Sequence, residues 1–247
     1  MANNPSHSTT LADIISSKTV TTIDDVLAVM RGIDAALPNN DGLKWFNLLY
    51  LKVTEGVRDR PPTEGWKDPA WLERLDVVFA GLYFSAIAAW EQNPDKVARC
   101  WFPLLASRQR PNIKRLQFAL AGMNAHINHD LAIAVVQTGK ERGIAPRRGS
   151  PQYRDFDRVN ATLEVVEGEV KQYIATGIIG EIDQHLGEID DILAMWKVRK
   201  ARETAWLNAE IIWRLESAPI ATADDDFLLN LDRLVGLASR GFLVAVG

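Results

Sequence analysis

The sequence lacks the features that would place it in several common classes of protein. A single cysteine, Cys100, excludes an internal disulfide framework and is typical of a reducing compartment. No stretch of about 18 residues is free of charged side chains, so no membrane-spanning segment is expected. The start MANNPSHSTTLADII has no basic segment followed by an apolar run, and no secretory signal is therefore predicted. These absences favour a cytoplasmic protein.

The sequence also has no excess of positive charge and no recognisable cofactor motif. The chain has 28 lysines and arginines against 32 acidic residues, a formal net charge of -4, which gives no reason to expect nucleic acid or an anionic membrane as a partner. Phosphate-binding glycine loops, dinucleotide fingerprints and the G-x-S-x-G elbow are missing, which argues against nucleotide cofactors and a serine nucleophile. Cys100 beside Trp101 is expected to be a core residue.

Helical spacing dominates the chain, and no segment favours a strand over a helix. Thr22 followed by Asp25 predicts a helix start of the capping-box kind, and Thr222 with Asp225 predicts the start of the last helix. Asp68-Pro69 opens the clearest amphipathic stripe, with proline in the first turn.

The spacing of apolar residues also predicts how the chain is divided into helices, loops and domains. Glycine, proline and arginine without an apolar period mark 142–154 as a loop. We predict a partly disordered segment at 1–21 and one all-α domain at 22–247. That domain is a bundle of about eight helices around a central buried helix at 112–138.

Polar residues interrupt the middle of this central helix. Buried polar groups cost free energy unless they have partners, and isolated charges cost more. On a helical projection the two histidines and the aspartate share one side and the two asparagines lie nearly opposite, while Gly122 and Ala125 should let another helix approach closely. The five polar residues fall within seven positions: Asn124, His126, Asn128, His129 and Asp130.

The spacing of His126 and Asp130 predicts a proton-transfer unit. The two side chains are four residues apart and therefore neighbours on one helix face. A carboxylate bonded to one imidazole nitrogen fixes the tautomer and leaves the other nitrogen as an acid or base near neutral pH. Asn124 and Asn128 are predicted to stabilise a developing oxyanion. The alternative is a buried histidine satisfied by its own helix and a neighbour.

Other polar residues are predicted to line the site. Arg202 shares one side of a late helix with Trp206, and an arginine over a tryptophan can hold a carboxylate, although a salt-bridged outer face is the alternative. Eight tryptophans suit an apolar cavity or an ordinary large core equally well. The predicted substrate-binding residues are His129, Asp155, Asn160, Arg202, Tyr50 and Tyr83.

The string GMNAHINHDLAIA, from Gly122 to Ala134, resembles the hallmark of an uncharacterised bacterial family known only as a domain of unknown function. The resemblance implies an all-helical fold but no activity. It also implies that Asn124, His126, Asn128, Asp130, Asp155 and Asn160 are motif positions. Further blocks that resemble the family lie at Trp45 to Val57, from Phe79 (FAGLYFSAI), at Tyr153 to Asn160 and at Trp196 to Trp206.

The leading functional hypothesis is a cofactor-independent enzyme that acts on a hydrophobic small molecule by acid/base-catalysed cyclisation, isomerisation or elimination, of the kind found in specialised metabolism. The first alternative is a metal-dependent hydrolase or oxygenase whose divalent metal is held by His126, His129 and Asp130, joined by Asp155 or His185. The second is a non-catalytic protein that binds a small molecule. The residues indicate neither the substrate nor the oligomeric state.

Overall fold

The computed structural model describes residues 9–177, 198–218 and 222–245, with side chains described in these ranges except at 166–177. The described residues form helices and no strand, so the predicted all-α class is confirmed. The helices are α1 (Leu11–Ser16), α2 (Ile23–Ala36), α3 (Gly42–Asp59), α4 (Pro69–Gln92), a 3₁₀ turn (Pro94–Lys96), α5 (Phe102–Ser107), α6 (Arg115–Ala125), a π-helix (His126–Asp130), α7 (Leu131–Arg142), α8 (Pro151–Gly177), α9 (Val198–Glu216) and α10 (Ala223–Phe242).

The helix starts predicted from local spacing are present in all three cases. The Thr22 hydroxyl accepts from the Asp25 amide and the Asp25 carboxylate accepts from the Thr22 amide, which is a complete capping box. Asp68 caps α4, whose first residue is Pro69. Thr222 directly precedes α10, so the predicted start of the last helix is confirmed, although the φ of Thr222 is 69° and its side chain makes no capping hydrogen bond.

The segment predicted to be partly disordered, 1–21, contains a docked helix. Thr10 and Asp13 form a capping box at the start of α1. The amides of Leu11 and Ala12 donate to the Glu91 carboxylate near the end of α4, at 3.2 and 2.7 Å. This pairing ties the start of the described chain to the bundle, because a carboxylate that accepts from the first amides of a helix satisfies groups with no partner inside that helix.

The central helix is a continuous rod with a change of pitch in its middle. It runs from Arg115 to Arg142 instead of the predicted 112–138, and a π-helix separates α6 from α7. The Leu131 amide donates to the His126 carbonyl, five residues back. The rod packs against α3, α4, α9 and α10. A Cβ at Gly122 would lie 2.4 Å from the Phe46 ring of α3, so the predicted close helix approach is confirmed.

The loop between α7 and α8 is shorter than the predicted 142–154. Gly143 ends α7 in the left-handed conformation, with φ of 67°, and α8 begins at Pro151. The last four residues of the predicted loop are therefore helical, because proline is well tolerated in the first turn of a helix. Within the described ranges, no helix combines the length and apolar character that crossing a bilayer requires.

Candidate active site

Asp130 is the centre of a buried polar cluster formed by the π-helix and the segment before α5. Its Oδ2 lies 3.1 Å from His126 Nδ1 and accepts from Trp101 Nε1 at 2.9 Å. Its Oδ1 lies 2.8 Å from His129 Nδ1. All four side chains are buried. One carboxylate therefore joins two histidines and a tryptophan, and the predicted contact between His126 and Asp130 is present.

The charge state of Asp130 decides the tautomers of both histidines. Burial by itself raises the pKa of this carboxyl group, but the hydrogen bonds from His126 and His129 outweigh burial and lower the pKa below its usual value. An ionised carboxylate only accepts hydrogen bonds, so each imidazole carries a proton on Nδ1. The His126–Asp130 pair is called the dyad below.

The second ring nitrogen of His126 is buried and has no hydrogen-bond partner in the part of the chain that the structure describes. Burial lowers the pKa of His126 in spite of the hydrogen bond to Asp130, so the imidazole is neutral near pH 7. With the proton on Nδ1, Nε2 carries a free lone pair. Among the described side chains, the other buried atoms without a hydrogen bond are Asp34 Oδ1, Trp71 Nε1 and Thr138 Oγ1.

Aromatic rings surround the His126 imidazole. The Phe79 ring stacks on it with a centroid distance of 3.5 Å and an interplanar angle of 6°. Tyr50 meets it edge-on at 4.5 Å, and Phe46 and Trp101 lie at 5.7 and 5.9 Å. These rings come from α3, α4 and the segment before α5. They make the surroundings of the His126 imidazole largely apolar, which strengthens electrostatic interactions there.

His129 belongs to a second, more charged environment on the other oxygen of Asp130. Its Nε2 lies 3.8 Å from the Asp232 carboxylate of α10, which accepts from the amides of Arg99 and Cys100 at 3.0 and 2.8 Å. Burial lowers the pKa of His129, but Asp130 and Asp232 raise it by more, so the net shift is upward. His129 therefore balances two carboxylates and is not the free base of the site.

The two asparagines of the motif face α10. Asn124 Nδ2 donates to the Val235 carbonyl at 3.0 Å and to Ser239 Oγ at 2.9 Å. Asn128 Nδ2 donates to Asn124 Oδ1 at 2.9 Å. The amide donors predicted to stabilise an oxyanion are thus used to hold the rod against the last helix. We do not assign them a catalytic role.

The remaining predicted site residues fall into three places. Tyr50 contacts His126 directly, and Tyr83 lies 6.2 Å from it with its hydroxyl donating to Asn47 Oδ1 at 3.2 Å. Asp155 accepts the amides of Lys67 and Asp68 at 2.8 and 2.6 Å, at the start of α4. Asn160 accepts from Arg202 at 2.9 Å, in a group on α8 and α9. The structure therefore places Asp155 at a helix start and leaves Tyr50 as the predicted residue nearest to His126.

A metal ion would find a different set of ligands from the predicted His126, His129 and Asp130. The two histidines hold opposite oxygens of Asp130, whereas ligand atoms of Cys100, His129 and Asp130 lie within 4.8 Å of one another in a buried group. Burial and the two neighbouring carboxylates raise the pKa of the Cys100 thiol, which disfavours the thiolate that a metal requires. Of the additional predicted ligands, Asp155 is engaged at α4 and His185 lies outside the described residues.

Sequence reasoning did not find Phe79, Trp101, Cys100 and Asp232 as parts of the site. Phe79 is part of the amphipathic stripe of α4, which indicates burial but not a partner. Trp101 and Asp232 are 29 and 102 residues from Asp130 in the chain, and nothing in their local spacing points to it. Only the packing of α5 and α10 on the rod brings them together.

The fold and the site define an all-helical protein with a histidine–aspartate dyad buried in its central helix. The chain belongs to a family of unknown function (DUF5995), whose model matches residues 23–245. Kinship with an uncharacterised family, which the resemblance implied, is thereby confirmed. No curated protein and no solved structure matches the chain.

Proposed function

We propose that the protein is an enzyme that acts on a largely hydrophobic small molecule by proton transfer, with His126 as the general base and then the general acid. The observation that carries this proposal is the Nε2 atom of His126, which is buried, unpartnered and oriented by Asp130. A structural histidine in a core normally has both ring nitrogens satisfied, because an unpaired buried polar atom costs about 1–3 kcal/mol.

The dyad has the arrangement that a general base requires. His126 Nε2 would take a proton from a carbon or oxygen of the substrate, and the electron pair left behind would form a new double bond or close a ring. The imidazolium formed in this way is stabilised by the Asp130 carboxylate, which already holds the Nδ1 proton. Returning the proton to another atom completes an isomerisation or cyclisation, and giving it to a leaving group completes an elimination.

The surroundings of the dyad indicate the substrate class. Phe46, Tyr50 and Phe79 place aromatic rings around the His126 imidazole. Apolar surroundings of this kind favour a hydrophobic substrate and would keep water from the imidazolium. The reaction needs no redox or group-transfer cofactor, in line with the absence of nucleotide motifs from the sequence.

The π-helix supports a functional reading of the same residues. A π-helix is rare and occurs mostly as a single widened turn inside an α-helix, frequently at a functional site. Here it spans His126–Asp130, the same five residues that carry the dyad. Its position therefore supports a functional role for these residues.

The test is a comparison of turnover with and without the imidazole. Wild-type protein and His126→Phe are incubated with a fractionated metabolite extract, and products are followed by mass spectrometry. We expect an isomer or a dehydrated product with the wild type only. Phenylalanine keeps the stacking on Phe79 but has no basic nitrogen. The matched control is Asn128→Ala, on the far side of the same helix, which should keep turnover.

Three results would contradict the proposal. The first is equal turnover by folded His126→Phe and wild type. The second is a small molecule that is retained unchanged by both, which would indicate a binding protein. The third is turnover that disappears with a chelator and returns with zinc, which would move the chemistry to Cys100, His129 and Asp130.

A further inference from the structure

The side of α10 that faces away from the rod, called the outer face below, carries exposed apolar side chains. Leu234 and Leu237 are each 66% exposed, the highest values among the large apolar side chains of the described residues. They lie three positions apart and are therefore neighbours on the helix surface. Single exposed leucines are common on proteins, whereas a contiguous apolar patch indicates an interaction surface. The outer face consists of Asp226, Asn230, Arg233, Leu234, Leu237, Arg240 and Gly241, all of which are exposed.

The residues of the outer face follow the spacing by which one helix packs along another. Positions 227, 230, 234, 237 and 241 are separated alternately by three and four residues, as in the heptads of paired helices. Gly241 has no side chain, and a Cβ there would meet nothing within 4 Å, so it leaves room for a side chain of a facing helix. Asn230 occupies one of these positions, where an asparagine fixes the register of paired helices at some cost in stability. This spacing indicates that the outer face receives a second helix.

The charges of α10 are separated along its length. Three aspartates, at 224–226, lie in the first turn, and Arg240 lies in the last. Arg233 and Arg240 are both exposed, and neither forms an ion pair with another described residue. Asp232, the remaining acidic residue of the helix, is engaged by the backbone amides before α5. The exposed surface of α10 is therefore negative at its start and positive toward its end.

This charge separation selects both the orientation and the identity of the facing helix. Two copies of α10 packed in parallel would place aspartates against aspartates and arginines against arginines. In an antiparallel pair, the negative start of each copy lies beside the positive end of the other, and the two helix dipoles also oppose each other. A twofold axis produces this arrangement from one surface, because each copy presents the same residues to the other. Charge complementarity therefore favours a second copy of this chain as the occupant.

We propose that the protein forms a twofold-symmetric dimer in which the outer faces of two α10 helices pack antiparallel. The helix has 20 residues and is therefore about 30 Å long. Leu234 and Leu237 lie near its middle and would form the apolar centre of the interface. The inner side of the same helix holds Asn124 through the Val235 carbonyl and the Ser239 hydroxyl. Dimer formation thus uses a different surface from the contacts with the rod and is independent of the proposed reaction at His126.

The first experiment measures the mass of the full chain in solution by sedimentation velocity, from low to high micromolar concentration. We expect twice the mass of one chain. Leu237→Glu should raise the dissociation constant of the dimer by about tenfold or more, because it places a charge at the centre of the interface. Leu237→Gln should act in the same direction and covers the case in which Leu237→Glu does not fold. The matched control is Val165→Glu on α8, where an apolar side chain is 54% exposed, and it should leave the dimer intact.

The second experiment tests the antiparallel orientation by exchanging charges. Asp226 and Arg240 lie about four turns apart on the outer face, near opposite ends of α10. Asp226→Lys should weaken an antiparallel dimer several-fold, because the new lysine lies beside the arginine-bearing end of the other copy. Adding Arg240→Glu to the same chain should restore the affinity. In a parallel dimer, Asp226→Lys would only replace one pair of like charges by another and would leave the affinity unchanged.

Three results would overturn the proposal. A chain that is monomeric at every concentration would leave the outer face for a helix of another protein. A dimer that withstands both substitutions of Leu237 would place the interface elsewhere on the molecule. A dimer that is weakened at Leu237 but is unaffected by Asp226→Lys would contradict the antiparallel orientation. Far-UV circular dichroism of each variant shows that a change in mass does not come from unfolding.

Discussion

Two histidines on one carboxylate show how far the surroundings of a residue control its chemistry. His126 and His129 both donate from Nδ1 to Asp130, and both are buried. Burial prevails at His126, whose other nitrogen has no hydrogen-bond partner within the described residues, and the pKa of His126 falls. At His129 a second carboxylate, Asp232, adds to the effect of Asp130, and the two together outweigh burial and raise the pKa of His129. One histidine is therefore suited to be a base, whereas the other is shifted toward its protonated form.

The lowered pKa of His126 predicts a stability change on acidification. The folded protein keeps this imidazole neutral, whereas the unfolded chain binds a proton below its pKa of about 6.5. The stability that His126 contributes is therefore complete above pH 6.5 and lost as pH falls below it, by up to about 1.4 kcal/mol per pH unit. The free energy of unfolding of wild type relative to His126→Phe should fall between pH 7.5 and 5, measured by urea denaturation.

The raised pKa of His129 predicts the opposite trend and provides the control. The folded protein holds this proton more tightly than the unfolded chain, so the contribution is complete below pH 6.5 and is lost as pH rises through the folded pKa. The stability of wild type relative to His129→Gln should accordingly decline as pH rises above 6.5. Parallel profiles for the two variants would show that the two imidazoles are not differentiated as described.

At the level of elements, the close contact between the rod and α3 positions the aromatic rings around the dyad. The Phe46 ring occupies the space that a side chain at position 122 would need and lies 5.7 Å from the His126 ring. The two helices can approach this closely because Gly122 has no Cβ. Helix packing and the shape of the site therefore depend on the same residue.

Gly122→Ala should destabilise the protein by about 1–3 kcal/mol, because the new methyl group would lie 2.4 Å from Phe46 and force the ring or the helix to move. Urea denaturation at pH 7 measures this loss. The matched control is Gly81→Ala in α4, where a Cβ meets nothing within 4 Å. There the better helix propensity of alanine should leave stability unchanged or raise it by about 0.5–1 kcal/mol. A tolerated Gly122→Ala would contradict the described packing.

On the scale of the whole molecule, carboxylates connect segments that are far apart in the chain. Asp155 of α8 holds the amides of Lys67 and Asp68 at the start of α4, and Asp232 of α10 holds those of Arg99 and Cys100 before α5. Each carboxylate satisfies backbone amides at or next to a helix start, where they have no partner within a helix. These hydrogen bonds hold α4 and the segment before α5 in place. The two segments position Phe79 and Trp101 at the site.

Asp155→Asn should therefore act on stability and not on turnover. Loss of the charged acceptor at two amides should cost about 1–3 kcal/mol, measured by chemical denaturation. Turnover should match that of the wild type under conditions where both proteins are folded. The neighbouring exposed residue supplies the control, and Arg154→Ala should change stability by less than about 0.5 kcal/mol. Slower turnover by folded Asp155→Asn would restore the predicted substrate-binding role of Asp155.

Local spacing was sufficient to predict the helical class, the capping box at Thr22 and the contact between His126 and Asp130. These features depend on residues within about four positions of one another, whose geometry a helix sets directly. The π-helix was not predictable in this way, because a regular projection at 100° per residue assumes uniform pitch. The spacing therefore identified the dyad but not the widened turn that carries it.

The partners of the dyad depend on tertiary packing. Phe79, Trp101 and Asp232 reach the rod only because α4, α5 and α10 dock on it, and their own sequence neighbourhoods carry no sign of that destination. The same packing turned Asn124 and Asn128 toward α10 and left His126 Nε2 unpaired. Residues distant in the chain decide which buried polar group keeps a free hydrogen-bonding atom, because they either supply or fail to supply its hydrogen-bond partner.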